Sequence, residues 1–255
     1  MNGKALLFDI SFDLLEREQV HGWIAARDST SPFAYVVTPN VDHVVRLESA
    51  GPELHRIYSQ AALCLCDSQI LRGLARLLGV HLTLVPGSDL VADLFNHILR
   101  PRDRVCLIGG SETHPASLAR LYPGIDVVQH IPPMGLRSNP AARATAIRFA
   151  AQSSGRIILL AVGSPQQELL AAEMARSPGI KGTAFCIGAS VDFIVGDQRR
   201  APLALRRAGL EWSWRLATQP RRLARRYLVD GIRIFPMAWR WWRAEHKRRV
   251  VNSAK

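Results

Sequence analysis

The sequence is poor in features that hold metals or cross membranes. It has only four cysteines in 255 residues, none in Cys-x-x-Cys spacing, so a disulfide framework or a cysteine-based zinc site is disfavoured. It contains no Asp-x-Asp pair, and its eight histidines are scattered, so residue spacing assembles no metal site. No run of about 18 apolar residues occurs, which argues against a transmembrane helix. We therefore expect neither a bound metal nor a membrane-spanning segment.

Glycine-rich phosphate-binding fingerprints are absent as well. Gly109-Gly110 and Gly188-Ala189 follow apolar runs, but neither extends to G-x-G-x-x-G or to the P-loop sequence. Those fingerprints let the backbone approach a dinucleotide or a nucleoside triphosphate closely. We expect no organic cofactor, and a nucleotide-cofactor oxidoreductase is the less favoured of the alternative functions.

The first residues and the cysteines indicate a reducing compartment. Residues 1–18 carry acidic side chains from Asp9 onward and lack the apolar stretch of a signal peptide. All four cysteines lie inside apolar runs, as buried thiols do. We expect a cytoplasmic protein.

Acidic residues are scarce in one part of the chain only. The chain has 33 Lys and Arg against 21 Asp and Glu, a net charge of +12. Residues 199–255 hold 16 of the basic residues, 3 of the acidic ones and five of the six tryptophans, whereas residues 1–198 are close to neutral. Basic and large apolar residues alternate there at helical spacing, which is typical of helices that dock on anionic bilayers. We expect a peripheral protein on the inner face of the cytoplasmic membrane.

A basic nucleic-acid-binding α/β protein is the main alternative that the charge leaves open. The sequence contains no nucleic-acid recognition motif, and its basic residues are interleaved with bulky apolar ones. That pattern suits a lipid surface or a protein core better than a phosphate backbone, so we expect no nucleic-acid partner.

Short apolar runs alternate with helical patterns along the first two hundred residues. Runs typical of strands covered on both faces occupy residues 33–38, 62–66, 82–85, 104–109, 126–131, 156–162 and 183–188. Helix-start signals follow most of them, at Asn40, Ser68, Ser88, Ser111 and Asn139-Pro140. This order predicts an α/β fold, Rossmann-like, with a mostly parallel sheet and helices on both faces. We divide the chain into a core of residues 1–198 and a basic, all-helical appendage of residues 199–255.

Polar residues follow several of these runs, at the edge where parallel sheets bind ligands. Asp67 comes directly after the run 62–66, so its carboxylate is placed to act as a general base. The same spacing fits a plain helix cap beside Ser68. Residues 163–168 form a tight turn whose amides could hold an anion, although an ordinary strand-to-helix turn is favoured when this segment is taken alone.

Six segments together resemble the WecG/TagA/CpsF glycosyltransferase family, over roughly residues 5–230. They are TPNVDHV at 38–44, the strand ending in Asp67 with RLLG at 76–79, GSDL at 87–90, VGSPQQE at 162–168, GASVDFIVGDQRRAP at 188–202 and GLEWSWRLATQPRRLARRYL at 209–228. The last two are long, ordered and specific.

The resemblance implies a function and its partners. It implies an inverting, metal-independent transfer of a sugar from a UDP-sugar to a polyprenyl-diphosphate-linked saccharide. The product would serve exopolysaccharide, capsule or cell-wall polymer synthesis. Neither the sugar nor the oligomeric state follows from the resemblance, and an oligomer remains open.

The resemblance also implies roles for single residues. Asp67 would be the base, Thr38 and Asn40 would lie beside the sugar, and Gln167 would complete the catalytic set. Arginines of the appendage would close over the diphosphate, namely Arg215, Arg222 and Arg225. The remaining substrate-binding residues would be Gly87, Ser88, Asp89, Gly163, Gly188 and Arg200. The chain departs from the family at Ser68, where many members have glycine.

Overall fold

A computed structural model describes residues 3–202, 204–205 and 208–253, without the side chains of residues 222, 225–227 and 247–253. The strands are β1 Lys4–Leu7, β2 Ile10–Asp13, β3 Ala34–Val37, β4 Leu63–Cys64, β5 Arg104–Gly109, β6 Asp126–His130, β7 Ile157–Ala161 and β8 Thr183–Cys186. The core helices are α1 Arg17–Ala25, α2 Val41–Ser49, α3 Pro52–Ser59, α4 Gln69–Leu77, α5 Gly87–Asp93, α6 His114–Leu121, α7 Pro140–Ser153, α8 Gln166–Arg176 and α9 Ser190–Val195. The helices that follow within the described residues include α10 Glu211–Thr218, α11 Pro220–Arg225 and α12 Ile234–Ser253.

Six strands form one parallel sheet in the order β4-β3-β8-β7-β5-β6. Successive residues of each strand point to opposite faces, and both faces are apolar. Tyr35 and Val37 join one buried cluster, with residues of α2, α3, α7 and α8, whereas Val36 joins the other, with residues of α1, α5, α6 and α9. The prediction of a Rossmann-like parallel sheet with helices on both faces is confirmed.

The site is positioned by the reversal of strand order around β8. The chain runs outward from β3 to β4 on one side of β8, while β7, β5 and β6 lie on its other side. Because the strands are parallel, the segments that follow β3, β4, β7 and β8 emerge at the same edge of the sheet. Doubly wound folds bind ligands at this edge, next to the point where the strand order reverses.

The helix starts are confirmed where a polar cap is present. Asn40, Ser68 and Asn139 each accept hydrogen bonds from backbone amides of the helix that follows. The other two starts are shifted. Helix α5 begins at Gly87, after Pro86, two residues earlier than the predicted start after Ser88, and α6 begins at His114 instead of next to Ser111.

One predicted strand is wrong. Residues 82–85 make only a single bridge, between Leu84 and Cys66, although Leu82 and Val85 are buried as in a strand. The partner strand β4 has already ended at Cys64, and Pro86 has no amide hydrogen with which to continue a ladder. An antiparallel hairpin, β1 with β2, precedes the sheet and was not predicted.

The C-terminal segment is helical, as predicted, and prolines lie at the starts of two of its helices. Pro220 opens α11 at its first position, and Pro236 lies in the first turn of α12, where a missing amide hydrogen costs no helical bond. Between them, residues 226–233 form single turns of π and 3-10 helix.

Helix α12 packs directly on the core. Ile234, Met237 and Ala238 are buried in the cluster that includes Tyr35 and Val37. Among the described residues, no helix combines the length and hydropathy that crossing a membrane requires.

Candidate active site

A large cavity opens at the carboxyl edge of the sheet. Its volume is about 1270 Å³, and residues following β3, β4, β7 and β8 line it together with residues of α5, α9, α10 and the turns before α12. Of the predicted site residues, those in its wall are Thr38, Asn40, Asp67, Gly87, Ser88, Asp89, Gly163, Gln167, Gly188 and Arg215. Residues up to 177 positions apart in the chain thus meet at one site.

Asp67 is held by two hydrogen bonds from other segments. The backbone amide of Gly87 donates to its Oδ1 at 2.6 Å, and Asn40 Nδ2 donates to its Oδ2 at 3.4 Å. The side chain that caps α4 is that of Ser68, whose hydroxyl accepts from the amide of Leu71. The alternative that Asp67 caps the helix beginning near Ser68 is therefore wrong, and Asp67 lies in the cavity wall.

Burial raises the pKa of Asp67 to about 6. The bonds from Gly87 and Asn40 and the charge of Arg215 act in the opposite direction, while Glu211 adds to the rise. A carboxylate that titrates near neutral pH binds a proton more readily than an ordinary aspartate and is still ionised above that pH, which suits a general base.

Asn40 owes its fixed position to its role as a helix cap. Its Oδ1 accepts from the amides of Asp42 and His43, so the amide group can present only its Nδ2 to Asp67. Thr38 is buried beside it, and its hydroxyl donates to the carbonyl of Cys186 at 3.4 Å. Both residues lie in the cavity wall because β3 ends there.

The first turn of α5 contributes both backbone and side chains to the site. A Cβ atom at Gly87 would lie 2.8 Å from Thr38 Oγ1, so only glycine fits without displacing its neighbours. The next two side chains, Ser88 and Asp89, accept hydrogen bonds from the guanidinium of Arg200 at 2.7 and 2.5 Å. Arg200 thus ties the segment after α9 to the first turn of α5.

Gln167 connects two of the turns at the sheet edge. Its Oε1 accepts from the amide of Gly188 at 2.9 Å, and its Nε2 donates to Glu168 Oε1 at 2.9 Å. Glu168 is buried, burial raises its pKa, and its Oε2 has no hydrogen-bond partner among the described residues. Gln167 lies in the cavity wall with its amide already engaged.

Arg215 brings a cation from α10 into the cavity. Its guanidinium carbon lies 5.4 Å from the centre of the Phe193 ring, and its Nε is buried without a hydrogen-bond partner among the residues described. The side chains of Arg222 and Arg225, the other two arginines predicted to bind the diphosphate, lie outside the described residues.

The sequence-based prediction missed a second cation in the cavity wall. Arg46 Nη1 donates to Ser164 Oγ at 2.9 Å, and Arg46 Nη2 donates to Asp42 Oδ2 at 2.6 Å. Asp42 and Arg46 are four residues apart on α2, a spacing that signals an ion pair on one helix face. The contact with Ser164 joins segments 118 positions apart, and no local pattern predicts it.

A histidine and two carboxylates were also missed. His114 is buried, and its Nδ1 accepts from the amide of Ser111. Its Nε2 lies 3.2 Å from Asp197 Oδ2 and 3.6 Å from Asp192 Oδ1. The two carboxylates come from α9 and the turn after it, within the segment 188–202 that the sequence singled out without assigning them a role.

The cavity wall carries several carboxylates and histidines, but they are not arranged as a metal site. Within the described part of the chain, no three His, Cys, Asp or Glu side chains are grouped so that they could hold a metal ion. All four cysteines are buried thiols, as predicted.

The sheet order and the cavity at its carboxyl edge define an α/β protein of the doubly wound type, with a cavity lined by carboxylate, amide and guanidinium groups. A family model described as Glycosyl transferase WecG/TagA/CpsF family matches residues 5–248. The match spans nearly the whole chain, and the chain belongs to this family.

Membership makes the protein a glycosyltransferase of cell-surface polymer synthesis, with a nucleotide-sugar donor and a sugar acceptor. It decides among the three functional classes that the sequence left open, in favour of the glycosyltransferase.

Proposed function

We propose that the protein transfers a sugar from a UDP-sugar to a saccharide linked to polyprenyl diphosphate, with inversion at the anomeric carbon and without a metal ion. The observation that carries the proposal is the position of Asp67. Its carboxylate is oriented by Gly87 and Asn40 at the sheet edge, and burial raises its pKa to about 6.

In the proposed reaction, Asp67 removes the proton of an acceptor hydroxyl while that oxygen attacks the anomeric carbon from the face opposite the UDP group. The bond from the anomeric carbon to the diphosphate oxygen breaks as the new glycosidic bond forms. Because a single displacement occurs, the configuration inverts. General-base assistance of this kind contributes about 10²- to 10⁴-fold to the rate.

The negative charge that develops on the departing diphosphate needs fixed donors. We assign this role to Arg215, with Arg222 and Arg225 of the appendage as further candidates. Arg215 is supported by its place in the cavity wall and by its buried Nε, which lacks a hydrogen-bond partner within the described residues. Preorganised donors aimed at a developing anion contribute as much as the base or more.

We further propose that residues 1–198 form the catalytic core and that residues 199–255 form an appendage with two roles. It supplies cations to the site, and it holds the protein on the inner face of the cytoplasmic membrane, where a lipid-linked acceptor resides. The amphipathic pattern of the appendage and its excess of basic residues support this assignment.

The direct test is a transfer assay with radiolabelled UDP-sugars and a polyprenyl-diphosphate-linked monosaccharide, run with and without EDTA. We expect product in both conditions, and we expect the anomeric configuration of the product, read by NMR, to be opposite to that of the donor. Loss of activity with EDTA that added Mg²⁺ restores would overturn the metal-free reaction. Retained configuration would overturn the single displacement.

A screen of UDP-sugars against the purified protein identifies the donor. The Asp126→Asn variant is a suitable control, because Asp126 pairs with Arg104 on the exposed edge of the sheet and is half-exposed. We expect this variant to transfer sugar at the wild-type rate. A chain that uses no UDP-sugar with any lipid-linked acceptor would contradict the proposed donor and acceptor.

A further inference from the structure

A buried carboxyl group lies directly behind the wall of the active-site cavity. Glu168 is 1% exposed and follows Gln167, which is 2% exposed and lines the cavity. The proposed reaction gives Glu168 no role. Because removing a carboxyl group from water costs free energy, its position calls for a function.

The backbone of Gly188 decides which way the amide of Gln167 points. Its N–H donates to Oε1 of Gln167 at 2.9 Å. Since a backbone N–H can only donate, the atom that it meets must be the carbonyl oxygen. The amino group Nε2 is therefore on the side of Glu168, where it donates to Oε1 of Glu168 at 2.9 Å. The amide of Gln167 is thus held at both ends.

These two bonds leave part of the hydrogen-bonding capacity of the amide for a ligand. A glutamine amide has two N–H donors and two oxygen lone pairs, and Glu168 and Gly188 use one of each. No described residue accepts a hydrogen bond from the second N–H of Gln167. Since Gln167 lies in the cavity wall, this N–H is the donor that it can offer to an oxygen of the substrate.

Glu168 has the surroundings of a neutral carboxyl group. Burial raises its pKa, and the bond from Gln167, the Ser164 hydroxyl and the charge of Arg46 oppose the rise only in part. Arg46 already donates to Ser164 and Asp42, and Oε2 of Glu168 has no hydrogen-bond partner among the described residues. Ionisation would leave that oxygen charged and without a donor, which is the most costly state of a buried acid.

The other titratable groups next to Glu168 are shielded from water as well. Tyr58 of α3 and Cys186 of β8 are buried, and burial raises the pKa of both side chains. Neither group supplies a positive charge. A neutral Glu168 accepts the bond from Gln167 through its carbonyl oxygen, and it places no negative charge beside a cavity that admits diphosphate groups in the proposed reaction.

We infer that Glu168 is a positioning residue for the proposed transfer, which holds the amide of Gln167 against the Gly188 backbone so that the second N–H of Nε2 donates to a substrate oxygen. The inference rests on the proposed function, because sugar transfer is what brings a substrate oxygen to this wall. It adds a residue that touches no substrate and acts through Gln167.

The kinetic test compares two replacements of Glu168. Glu168→Met keeps the length of the side chain but removes the oxygen acceptor, whereas Glu168→Gln keeps a neutral oxygen acceptor. We expect kcat to fall by about tenfold or more in Glu168→Met, because a displaced binding group loses its alignment, and to remain close to the wild-type value in Glu168→Gln. Glu168→Leu replaces Glu168→Met if the latter does not fold. An equal loss in the Met and Gln variants, or no loss in Glu168→Met, would overturn the inference.

A double-mutant cycle separates positioning from a general loss of structure. If Glu168 acts through Gln167, adding Glu168→Met to Gln167→Ala should lower kcat no further, whereas independent effects would multiply. Glu173→Gln is the matched control, because Glu173 lies on the same helix and pairs with Arg143, so we expect wild-type kcat. Circular dichroism and urea unfolding verify that each variant is folded. Effects that multiply would leave Glu168 with a structural role alone and refute positioning.

The contact is also measured without turnover, from the side-chain amide signals of the full chain carrying isotope-labelled glutamine. Gln167→Ala identifies the pair of signals that belongs to Gln167. We expect the N–H bonded to Glu168 to exchange slowly with water in the wild type and in Glu168→Gln, and faster by about tenfold in Glu168→Met, since its bond is lost. If this pattern appears but no UDP-sugar is transferred, the proposed function fails while the positioning contact stands. Unchanged exchange in Glu168→Met would refute the contact even if sugar is transferred.

Discussion

The backbone amide of Gly87 donates a 2.6 Å hydrogen bond to Oδ1 of Asp67, across twenty positions of the chain. The bond orients the carboxylate in the cavity wall. Gly87 is the first residue of α5 and lies against Thr38. This close approach requires glycine, because a Cβ atom on residue 87 would lie 2.8 Å from the threonine hydroxyl oxygen. The proposed base is therefore placed by a residue with no side chain.

Replacement of Gly87 by alanine tests this placement. We expect Gly87→Ala to displace Thr38 and Asp67, to lower kcat by at least about tenfold, and to cost about 1 to 3 kcal/mol of stability through overpacking. The matched control is Gly73→Ala, because a Cβ atom there meets nothing within 4 Å and the residue is in mid-helix. The control should gain about 0.5 to 1 kcal/mol. Equal behaviour of the two variants in urea unfolding and turnover would contradict the placement.

Asp67→Asn removes the proposed base while preserving its size. We expect kcat to fall by about 10²- to 10⁴-fold, measured in the transfer assay against Asp126→Asn. A variant within threefold of the wild-type rate would remove Asp67 from the mechanism.

The activity should depend on pH through the same group. Because the base acts when ionised and its pKa is raised to about 6, kcat/KM for the wild type should fall as the pH drops below about 6. A profile of kcat/KM from pH 5 to 9 locates this limb. An acid limb at the ordinary aspartate pKa near 4 would show that the carboxylate is not desolvated in the active protein.

The raised pKa of Asp67 also means that this residue, when ionised, destabilises the folded chain. Asp67 is ionised in both the folded and unfolded chain above pH 6, and only the folded chain bears the cost of burying that charge. We expect Asp67→Asn to be more stable than the wild type by about 1 to 2 kcal/mol at pH 8, with the difference shrinking as the pH falls from 6 toward 4. Urea unfolding at pH 8 and pH 5 measures both values. A variant that is less stable at pH 8 would contradict the sign.

Arg215 influences Asp67 and the proposed leaving group together. We expect Arg215→Ala to lower kcat by about 10²-fold or more. Since the charge of Arg215 lowers the pKa of Asp67, its loss should also move the acid limb of the kcat/KM profile to higher pH. Arg148→Ala is the control, because Arg148 is exposed on α7 and contacts Thr145. If kcat falls but the acid limb of the kcat/KM profile stays at the wild-type pH, Arg215 does not influence the pKa of Asp67.

Gln167 should stabilise the fold, because its side chain connects two turns. Gln167→Ala leaves the amide of Gly188 and Oε1 of Glu168 without their bonds inside the protein, which costs about 1 to 3 kcal/mol. Urea unfolding compares this variant with Gln166→Ala, its neighbour at the start of α8. Unchanged stability would mean that the bridge between the two turns contributes little.

The strand and helix order could be predicted because it depends on local patterns. Consecutive apolar residues such as those of β5 and β7 fit a strand covered on both faces, and caps such as Asn40 act on the helix that follows them. The strand predicted at residues 82–85 was wrong, because pairing with β4 decides whether these residues form a strand and their own composition does not.

The amino-acid sequence by itself determined that the protein has a parallel α/β core, a basic helical end and polar groups, including Asp67, at one sheet edge. These features follow from short-range periodicity and charge. Only the tertiary structure decided that Asp67 receives a bond from Gly87 instead of capping the helix that begins after Ser68, that Arg46 meets Ser164, and that α12 packs on the core through Ile234, Met237 and Ala238. Such contacts join residues remote in the chain, and their distances depend on how the whole core packs.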